Sequence, residues 1–156
     1  MRTVRSLLLR LWPALLVAVG CSTPFHAVPT PASFVELGKT RFDFQALSAD
    51  GAVLVGRQIK PTKPATLAYW SEVVREELVK TRGYQVAAEE KVQARDATGT
   101  RFLCTAMREG TEYVYLLALF VRPDGGVLTV EAGGKKAALE RHRQEIDAFI
   151  AALFVR

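Results

Sequence analysis

The stretch TEYVYLLALFVR, residues 111–122, decides the fold class of this chain. Its odd-numbered positions from Tyr113 to Val121 are apolar or aromatic, and so are its even-numbered positions from Val114 to Phe120. Successive side chains of a β-strand point to opposite faces of the sheet. Since both faces of this strand are apolar, both must be covered by other parts of the protein. The sequence therefore predicts a strand that is buried on two sides.

Weaker strand patterns lie on both sides of this stretch. Turn sequences separate several of them, namely Asp50-Gly51, residues 96–99 and residues 123–126. The other predicted strands cover residues 41–47, 53–55, 84–94, 100–108 and 127–131. With residues 111–122, the sequence predicts six strands in an antiparallel sheet.

Two amphipathic helices complete the predicted domain. Apolar residues at steps of three and four, from Leu67 to Leu78, indicate a helix over residues 65–80 that Gly83 would end. A second helix is predicted over residues 135–155, with a buried stripe of Leu139, Ile146, Phe149, Ile150 and Leu153. The fold class is therefore α+β, an antiparallel sheet of about six strands flanked by two helices.

The overall composition excludes several classes of protein. The 156 residues are 49% hydrophobic and 24% charged, with two cysteines, which excludes a disordered, collagen-like or disulfide-scaffold chain. The formal net charge is +5, to which Arg2, Arg5 and Arg10 contribute. Without them, 18 Lys and Arg face 16 Asp and Glu, so the charge does not predict a nucleic-acid partner.

Residues 1–20 have the layout of a secretory signal peptide. A basic segment up to Arg10 precedes an apolar run over residues 11–19, and small residues lead into Cys21. The apolar run is too short for a helix to span a hydrocarbon core of about 30 Å. Residues 17–21, VAVGC, resemble the lipobox of bacterial lipoproteins, which implies lipid on Cys21. Ordinary signal-peptidase cleavage after Gly20 is the alternative.

The residues after Cys21 are predicted to tether the domain to the membrane. The residue that follows the cysteine is Ser22 and not the Asp of the inner-membrane retention signal, which by resemblance implies an outer-membrane protein facing the periplasm. The segment 21–38 contains Pro24, Pro29 and Pro31, which favour an extended chain. We therefore predict a Pro-rich linker, with His26 in solvent, and a globular domain over residues 39–156.

The order of the predicted elements resembles the PsbP-like fold, an α/β/α sandwich that includes DcrB-like bacterial lipoproteins. The resemblance spans about Phe42 to Phe154. It is carried by Trp70-Ser71-Glu72 and the helix through Leu78, by Gly83-Tyr84 and by the strand from Tyr113 to Phe120. The resemblance implies a non-enzymatic accessory, chaperone or assembly role and brings no functional residue with it.

Catalytic and metal-binding residues are sparse. His142, between Arg141 and Arg143, is the only histidine of the predicted domain and is expected at the edge of the helix stripe. His142 and Glu145 could supply two metal ligands, but two ligands do not make a site. No catalytic residue, metal or other cofactor is predicted.

Two further features invite a function and have simpler explanations. Gly133-Gly134-Lys135-Lys136 is expected to connect a strand to a helix, where backbone amides could hold an anion. It lacks the spacing of a phosphate-binding loop, which favours a flexible connection with solvated lysines. Cys104 shares a strand face with Phe102 and Ala106, so its thiol is expected to pack as a small apolar group.

These observations together predict a membrane-anchored, non-catalytic lipoprotein that binds a protein partner of the envelope in an assembly or chaperone role. A carrier of a small apolar ligand or lipid in the periplasm is the alternative. The sequence does not favour an enzyme, because no base is predicted beside an activated nucleophile.

Overall fold

The computed structural model describes residues 24–156, so the predicted signal peptide and Cys21 lie outside the described residues. The strands are β1 (Phe34–Glu36), β2 (Phe44–Ser48), β3 (Val53–Ile59), β4 (Gln85–Gln93), β5 (Thr98–Arg108), β6 (Thr111–Val121) and β7 (Val127–Lys135). The helices are α1 (Leu67–Glu76), which continues into a π-helical turn (Glu77–Thr81), and α2 (Lys136–Ala152).

One antiparallel sheet contains all seven described strands, in the order β1-β2-β3-β7-β6-β5-β4. Strand β6 pairs with β5 on one side and β7 on the other. Its even-numbered residues, such as Leu116, face α2, and its odd-numbered residues, such as Leu117, belong to the core under α1. The prediction of an α+β fold with a strand buried on two sides is confirmed.

Helix α2 covers the larger core. Its predicted stripe, including Ile146, Phe149 and Ile150, is buried against Leu54 of β3 and Leu116 of β6. The aromatic rings of Phe149 and Phe44 stack with centroids 5.1 Å apart. This face therefore contains most of the buried apolar surface, the dominant favourable contribution to folding.

Helix α1 and its π-helical turn pack on the opposite face of the sheet, over strands β4, β5 and β6. The core under α1 and its π-helical turn includes Leu78 of the turn, Phe102 of β5 and Leu117 of β6. The helical segment ends just before Gly83, which has a φ of +67°. The same face of β1, β2 and β3 has no helix over it in the described chain. Val35 and Leu47 are 71% and 40% exposed there. We call the face of β1, β2, β3 and β7 on the α1 side the open half of the sheet.

The N-terminal boundary of the domain differs from the prediction. The predicted extended linker is packed on the α2 face from its first described residues: Phe25 is fully buried, and Val28 and Phe34 join the same core. Strand β1 also lies within the predicted linker and makes a seventh strand where six were predicted. Burial of the aromatic rings offsets the entropy lost when the proline-rich segment is ordered.

Residues 133–135 also differ from the prediction. They belong to β7, and α2 begins directly at Lys136, so no flexible loop connects the two elements. Gly133 pairs with Val53 and with Tyr115, and Lys135 pairs with Tyr113. The backbone hydrogen bonds of two flanking strands hold these glycines in the sheet despite their low strand propensity.

Candidate functional site

A groove of about 520 Å³ lies on the open half of the sheet, beside the end of the π-helical turn. Val53 and Val55 of β3 form one wall, and Tyr113 and Tyr115 of β6 form the other. Tyr84, which follows the helical turn, stacks on Tyr115 with ring centroids 5.0 Å apart. The groove thus has aliphatic and aromatic walls, which suits an apolar chain or side chain.

Gly133 forms the floor of this groove. In the register of the sheet it lies between Val53 and Tyr115, both of which carry side chains on this face. A Cβ atom on Gly133 would lie 3.4 Å from Cδ2 of Tyr115, an ordinary van der Waals contact. The groove therefore exists because this position has no side chain, and a larger residue would fill it without a backbone clash.

A polar network lies at one end of the groove, centred on the buried carboxylate of Glu131, which is 8% exposed. The Tyr115 hydroxyl donates a hydrogen bond of 2.5 Å to Glu131 Oε2. Arg57 Nε lies 3.0 Å from Glu131 Oε1, and Arg82 Nη1 donates to the Tyr115 hydroxyl at 3.0 Å. The network joins β3, β6 and β7 to the residue that follows the helical turn.

The surroundings of the Tyr115 hydroxyl keep it protonated. Burial, followed by the charge of Glu131, raises the pKa of the Tyr115 hydroxyl well above its ordinary value. Tyr115 therefore stays a neutral hydrogen-bond donor and cannot act as a base near neutral pH. Arg57 and Arg82 keep more than a third of their side chains exposed and can meet an incoming anion.

A second polar cluster lies on the α2 side of the sheet, around His142. The imidazole is buried, with Nε2 2.9 Å from Asp50 Oδ1, and its ring packs edge-on against Phe34 at 5.2 Å between centroids. Glu145 accepts hydrogen bonds from the backbone amide and the hydroxyl of Ser33, at 2.9 and 2.5 Å. The cluster ties the N-terminal segment and the β2–β3 turn to α2.

This cluster does not have the arrangement of a serine hydrolase. Ser48 donates its hydroxyl hydrogen to Asp50 at 2.6 Å, and Ser33 donates to Glu145, so neither serine is bonded to His142. An activated serine requires the base itself as its acceptor. His142 is more deeply buried than the predicted edge position, and its hydrogen bond to Asp50 holds the β2–β3 turn against α2.

The bonds to Asp50 predict a pH dependence of stability. The hydrogen bond from Ser48, followed by that from His142, lowers the pKa of Asp50 from 3.8 to about 2. A carboxylate whose pKa is lower in the folded state stabilises the protein above the unfolded pKa and loses this effect as the pH falls through the folded value. We expect Asp50→Asn to be less stable than the wild type at pH 7, with a difference that shrinks between about pH 4 and pH 2.

Chemical denaturation of both proteins across this pH range measures the effect. Glu109→Gln, at an exposed turn position, is the matched control and should follow the wild-type curve. A difference between Asp50→Asn and the wild type that stays constant from pH 7 to pH 2 would contradict the assignment.

The position of Cys104 agrees with the expectation from the sequence. Its side chain is fully buried under α1 beside Phe102 and Leu117. Burial raises the pKa of the thiol to about 11, so little thiolate is present near neutral pH. Cys104 packs as an apolar residue, and nothing in its surroundings suggests a reactive role.

We expect the Cys104 thiol to resist labelling until the domain unfolds. Cys104→Ser should lower the free energy of unfolding by about 1–3 kcal/mol because it buries a hydroxyl. Cys104→Ala should cost less, since it removes volume without adding a polar group. Thiol-reagent kinetics with and without denaturant measure accessibility, and rapid modification of the native protein would place the side chain at the surface.

The other candidate residues from the sequence form no site in the described chain. Lys136 is held by Glu112 at 3.0 Å, so the Gly133–Lys136 stretch presents no anion site of the predicted kind. His26, predicted to lie in solvent, is 44% exposed, with Nδ1 3.3 Å from Glu36 Oε1 and its ring edge-on to Phe44 at 6.3 Å between centroids. Within residues 24–156, no group of three or more His, Cys, Asp or Glu side chains could hold a metal ion.

Glu131, Arg57 and Arg82 were not predicted as site residues from the sequence. A glutamate within the apolar strand VLTVEAGG is a detectable signal, because a buried charge requires a partner. Its partners Arg57 and Arg82 lie far from it along the chain, so the pairing depends on the fold. The groove itself was not predicted either, because Gly133 was assigned to a loop.

The sheet with a helix on each face defines a PsbP-like α+β fold. No protein-family model and no curated protein matches this chain. Among solved structures, the chain is similar to LpqN of Mycobacterium tuberculosis, described as involved in cell envelope biogenesis. The TM-score is 0.64 at 13% identity, over 81% of each chain.

Two further solved structures are similar. A protein of unknown function from Pseudomonas aeruginosa, described as a putative regulator, aligns with a TM-score of 0.57 and 14% identity over 79% of this chain and 81% of that one. Cyanobacterial PsbP from Synechocystis aligns with a TM-score of 0.56 and 8% identity over 83% of this chain and 85% of that one. At these identities the likeness shows the fold alone. Over residues 24–156, no helix has the length and hydropathy needed to cross a bilayer.

Proposed function

We propose that this chain is a lipid-anchored, non-catalytic protein of the bacterial cell envelope that binds a protein partner in an assembly or chaperone role. The observation that carries the proposal is the open half of the sheet. An apolar row, formed by Val35, Leu47 and Val53 in paired register, leads from the exposed strand β1 into the groove. A row of exposed and half-buried apolar side chains with no helix over it is typical of an interaction site.

The groove also indicates the chemistry of the partner. Arg108 lines it, and the exposed parts of Arg57 and Arg82 lie beside the network at its end. Glu131 pairs with the buried part of Arg57 and of Arg82, and the exposed part of each guanidinium group presents positive charge to solvent. A partner segment with apolar side chains followed by an acidic side chain would complement both parts of the surface.

The anchoring part of the proposal concerns Cys21. It is supported by the lipobox-like sequence VAVGC after a short apolar run, and the structural likeness to a protein described as involved in cell envelope biogenesis is in keeping with it. Intact-mass and peptide mass spectrometry of the protein from membranes should find a mature chain that begins at an acylated Cys21. An unmodified Cys21, or a chain that begins elsewhere, would contradict this part.

Gly133→Leu tests the binding surface. The leucine side chain should fill the groove and lower the affinity for a partner isolated from envelope extract by tenfold or more. Because a Cβ fits at this position, the unfolding midpoint should stay near that of the wild type. Gly38→Leu is the matched control, since a Cβ at Gly38 has no atom within 4 Å. Equal affinity for both variants would contradict the assignment of the groove.

A carrier of an apolar ligand or lipid is the second candidate function. It is favoured by the size and the aliphatic and aromatic walls of the same groove. Solvent extraction and mass spectrometry of the purified protein should then release one lipid class in stoichiometric amount, and Gly133→Leu should abolish it. A protein that yields no lipid but captures one stoichiometric protein would favour the first candidate.

A further inference from the structure

The connections at one end of the sheet carry a concentration of positive charge. Five segments meet there: residues 37–43, 60–66, 94–97, 122–126 and 153–156. They contain seven basic side chains against three aspartates. We call these seven residues the basic pole: Lys39, Arg41, Lys60, Lys63, Arg95, Arg122 and Arg156.

The aspartates of this end are engaged by the backbone. Asp43 accepts the amide of Gln58 at 2.6 Å, Asp96 accepts that of Val155 at 2.8 Å, and Asp124 accepts that of Gly126 at 3.0 Å. These bonds lower the pKa values of Asp96 and Asp124, so both carboxylates stay ionised and fixed in place. The three aspartates therefore stabilise the loop backbone at this end.

Five of the seven basic side chains, in contrast, point into solvent, whereas Arg122 and Arg156 lie 3.4 and 3.5 Å from Asp124 and Asp96. Among the described residues, Lys39, Arg41, Lys60, Lys63 and Arg95 form no ion pair, and all five are exposed. Two large apolar side chains lie at the same end: Ile59 is 47% exposed, and Phe154 is 42% exposed with Arg95 over its ring. Exposed cations with interspersed apolar side chains suit an anionic lipid surface.

The opposite end of the sheet has no such excess. Its connections, residues 49–52, 82–84 and 109–110, contain Arg82 against Asp50 and Glu109. The nine residues of β7 separate the two ends by about 30 Å. The positive charge of the connections is therefore concentrated at one end, although Arg108 and Lys135 occupy the last positions of β5 and β7 at the opposite end.

The N-terminal segment reaches the domain near the basic pole. Phe25 stacks on Phe44, the first residue of β2, which directly follows the loop with Lys39 and Arg41. Cys21 precedes Pro24 by three residues, which even fully extended span only about 10 Å. A lipid on Cys21 would therefore lie closer to this end of the sheet than to the opposite end.

We infer that the basic pole lies against an anionic phospholipid bilayer and sets the orientation of the domain on the membrane. The inference rests on the proposed lipid anchor. The anchor supplies membrane affinity, and the phosphate groups of the lipids attract the exposed lysines and arginines. In this orientation the strands stand roughly along the membrane normal and the open half of the sheet faces sideways, accessible to a partner.

Fluorescence energy transfer to a lipid-bound acceptor tests the orientation. The mature lipidated protein is labelled at Thr62→Cys, in the basic pole, or at Ala49→Cys, at the opposite end; buried Cys104 should not react. In vesicles containing phosphatidylglycerol, the Thr62→Cys dye should transfer energy strongly and the Ala49→Cys dye weakly. The difference should vanish in 1 M salt, where the Debye length is about 3 Å, and in neutral phosphatidylcholine vesicles.

Matched triple variants separate the position of the charge from its amount. Lys39→Ser, Lys60→Ser and Lys63→Ser together should lower the equilibrium constant for the oriented state by about 100-fold, at about fivefold per lysine. Lys80→Ser, Lys91→Ser and Lys135→Ser together remove the same amount of charge outside the basic pole. The equilibrium constant of this control for the oriented state should stay within a few-fold of the wild-type value. Equal transfer from both labels, or equal effects of both triple variants, would overturn the inference.

Failure of the lipid anchor is distinguishable from failure of this inference. An acylated chain with no preferred orientation would overturn the inference and leave the anchor intact. A chain without acyl groups that sediments with phosphatidylglycerol vesicles, and loses this with the Lys39, Lys60 and Lys63 variant only, would support the inference and contradict the anchor.

Discussion

Phe25→Ala is expected to lower the free energy of unfolding by about 3–5 kcal/mol, as for other fully buried aromatic residues replaced by alanine. The Phe25 side chain is 0% exposed and stacks on Phe44 with centroids 6.1 Å apart. Its ring also covers Gly56 of β3, where a Cβ would come within 2.6 Å of it. Denaturant unfolding followed by circular dichroism measures the change. A linker residue, by comparison, would show almost none.

Two further variants make this result specific. His26→Ala changes the exposed neighbour and should leave stability within about 0.5 kcal/mol. Gly56→Ala should destabilise the wild type because the new methyl group displaces the Phe25 ring, but should cost much less in the Phe25→Ala background. Additive effects of Phe25→Ala and Gly56→Ala would contradict the contact.

Glu131→Ala is expected to lower the free energy of unfolding by roughly 2–3 kcal/mol, because it removes the acceptor of a partly buried hydroxyl and the partner of two cations. The value lies below that for a fully buried ion pair, since Arg57 and Arg82 are partly exposed and regain water. The Tyr115 hydroxyl, in contrast, loses its 2.5 Å bond to Glu131 on the face of the sheet. Thermal and denaturant unfolding at neutral pH measure the loss.

Tyr115→Phe shows whether this loss comes from the network. On its own it should cost about 1 kcal/mol, and the cost of Glu131→Ala should be smaller in that background. Glu112→Ala removes a carboxylate that pairs with Lys136 at a more exposed position and should cost under about 1 kcal/mol. Similar losses for Glu131→Ala and Glu112→Ala would contradict the special role of the network.

The helices and most strands could be predicted because their apolar patterns are long. The stripe from Leu139 to Leu153 repeats with the period of a helix, and residues 113–121 are apolar at every position. Such patterns show which faces of a strand or helix must be buried by other elements, and this arrangement of buried faces determines the fold class. The likeness of the element order to the PsbP-like fold rests on these same segments.

The segment with Phe25 and β1 could not be predicted, because its signals are short and conflicting. Strand β1 has three residues, of which only Phe34 is buried. The prolines around it are typical of an extended linker. The docking of this segment depends on the gap that Gly56 leaves in β3, which is visible only in the assembled sheet.

The groove is a property of the assembled sheet in the same way. Gly133 and Gly134 favour a loop when taken alone, and only pairing with β3 and β6 holds them in a strand. The network around Glu131 combines side chains from four separate parts of the chain. The sequence shows that a buried glutamate needs a partner but does not say which arginine will reach it.

The strand order has a consequence for how the molecule is made. Strands β4 to β7 pair with their neighbours in sequence, so this half can form from consecutive hairpins. The edge of β3 that does not pair with β2 can pair only with β7, and residues 60–126 separate these two strands. A ribosome delivers β1 to β3 first, and their apolar edge then stays unpaired while the rest is synthesised. Closure of this one junction is the step we expect to limit the folding rate, and it is the interval in which the nascent chain is most prone to aggregation.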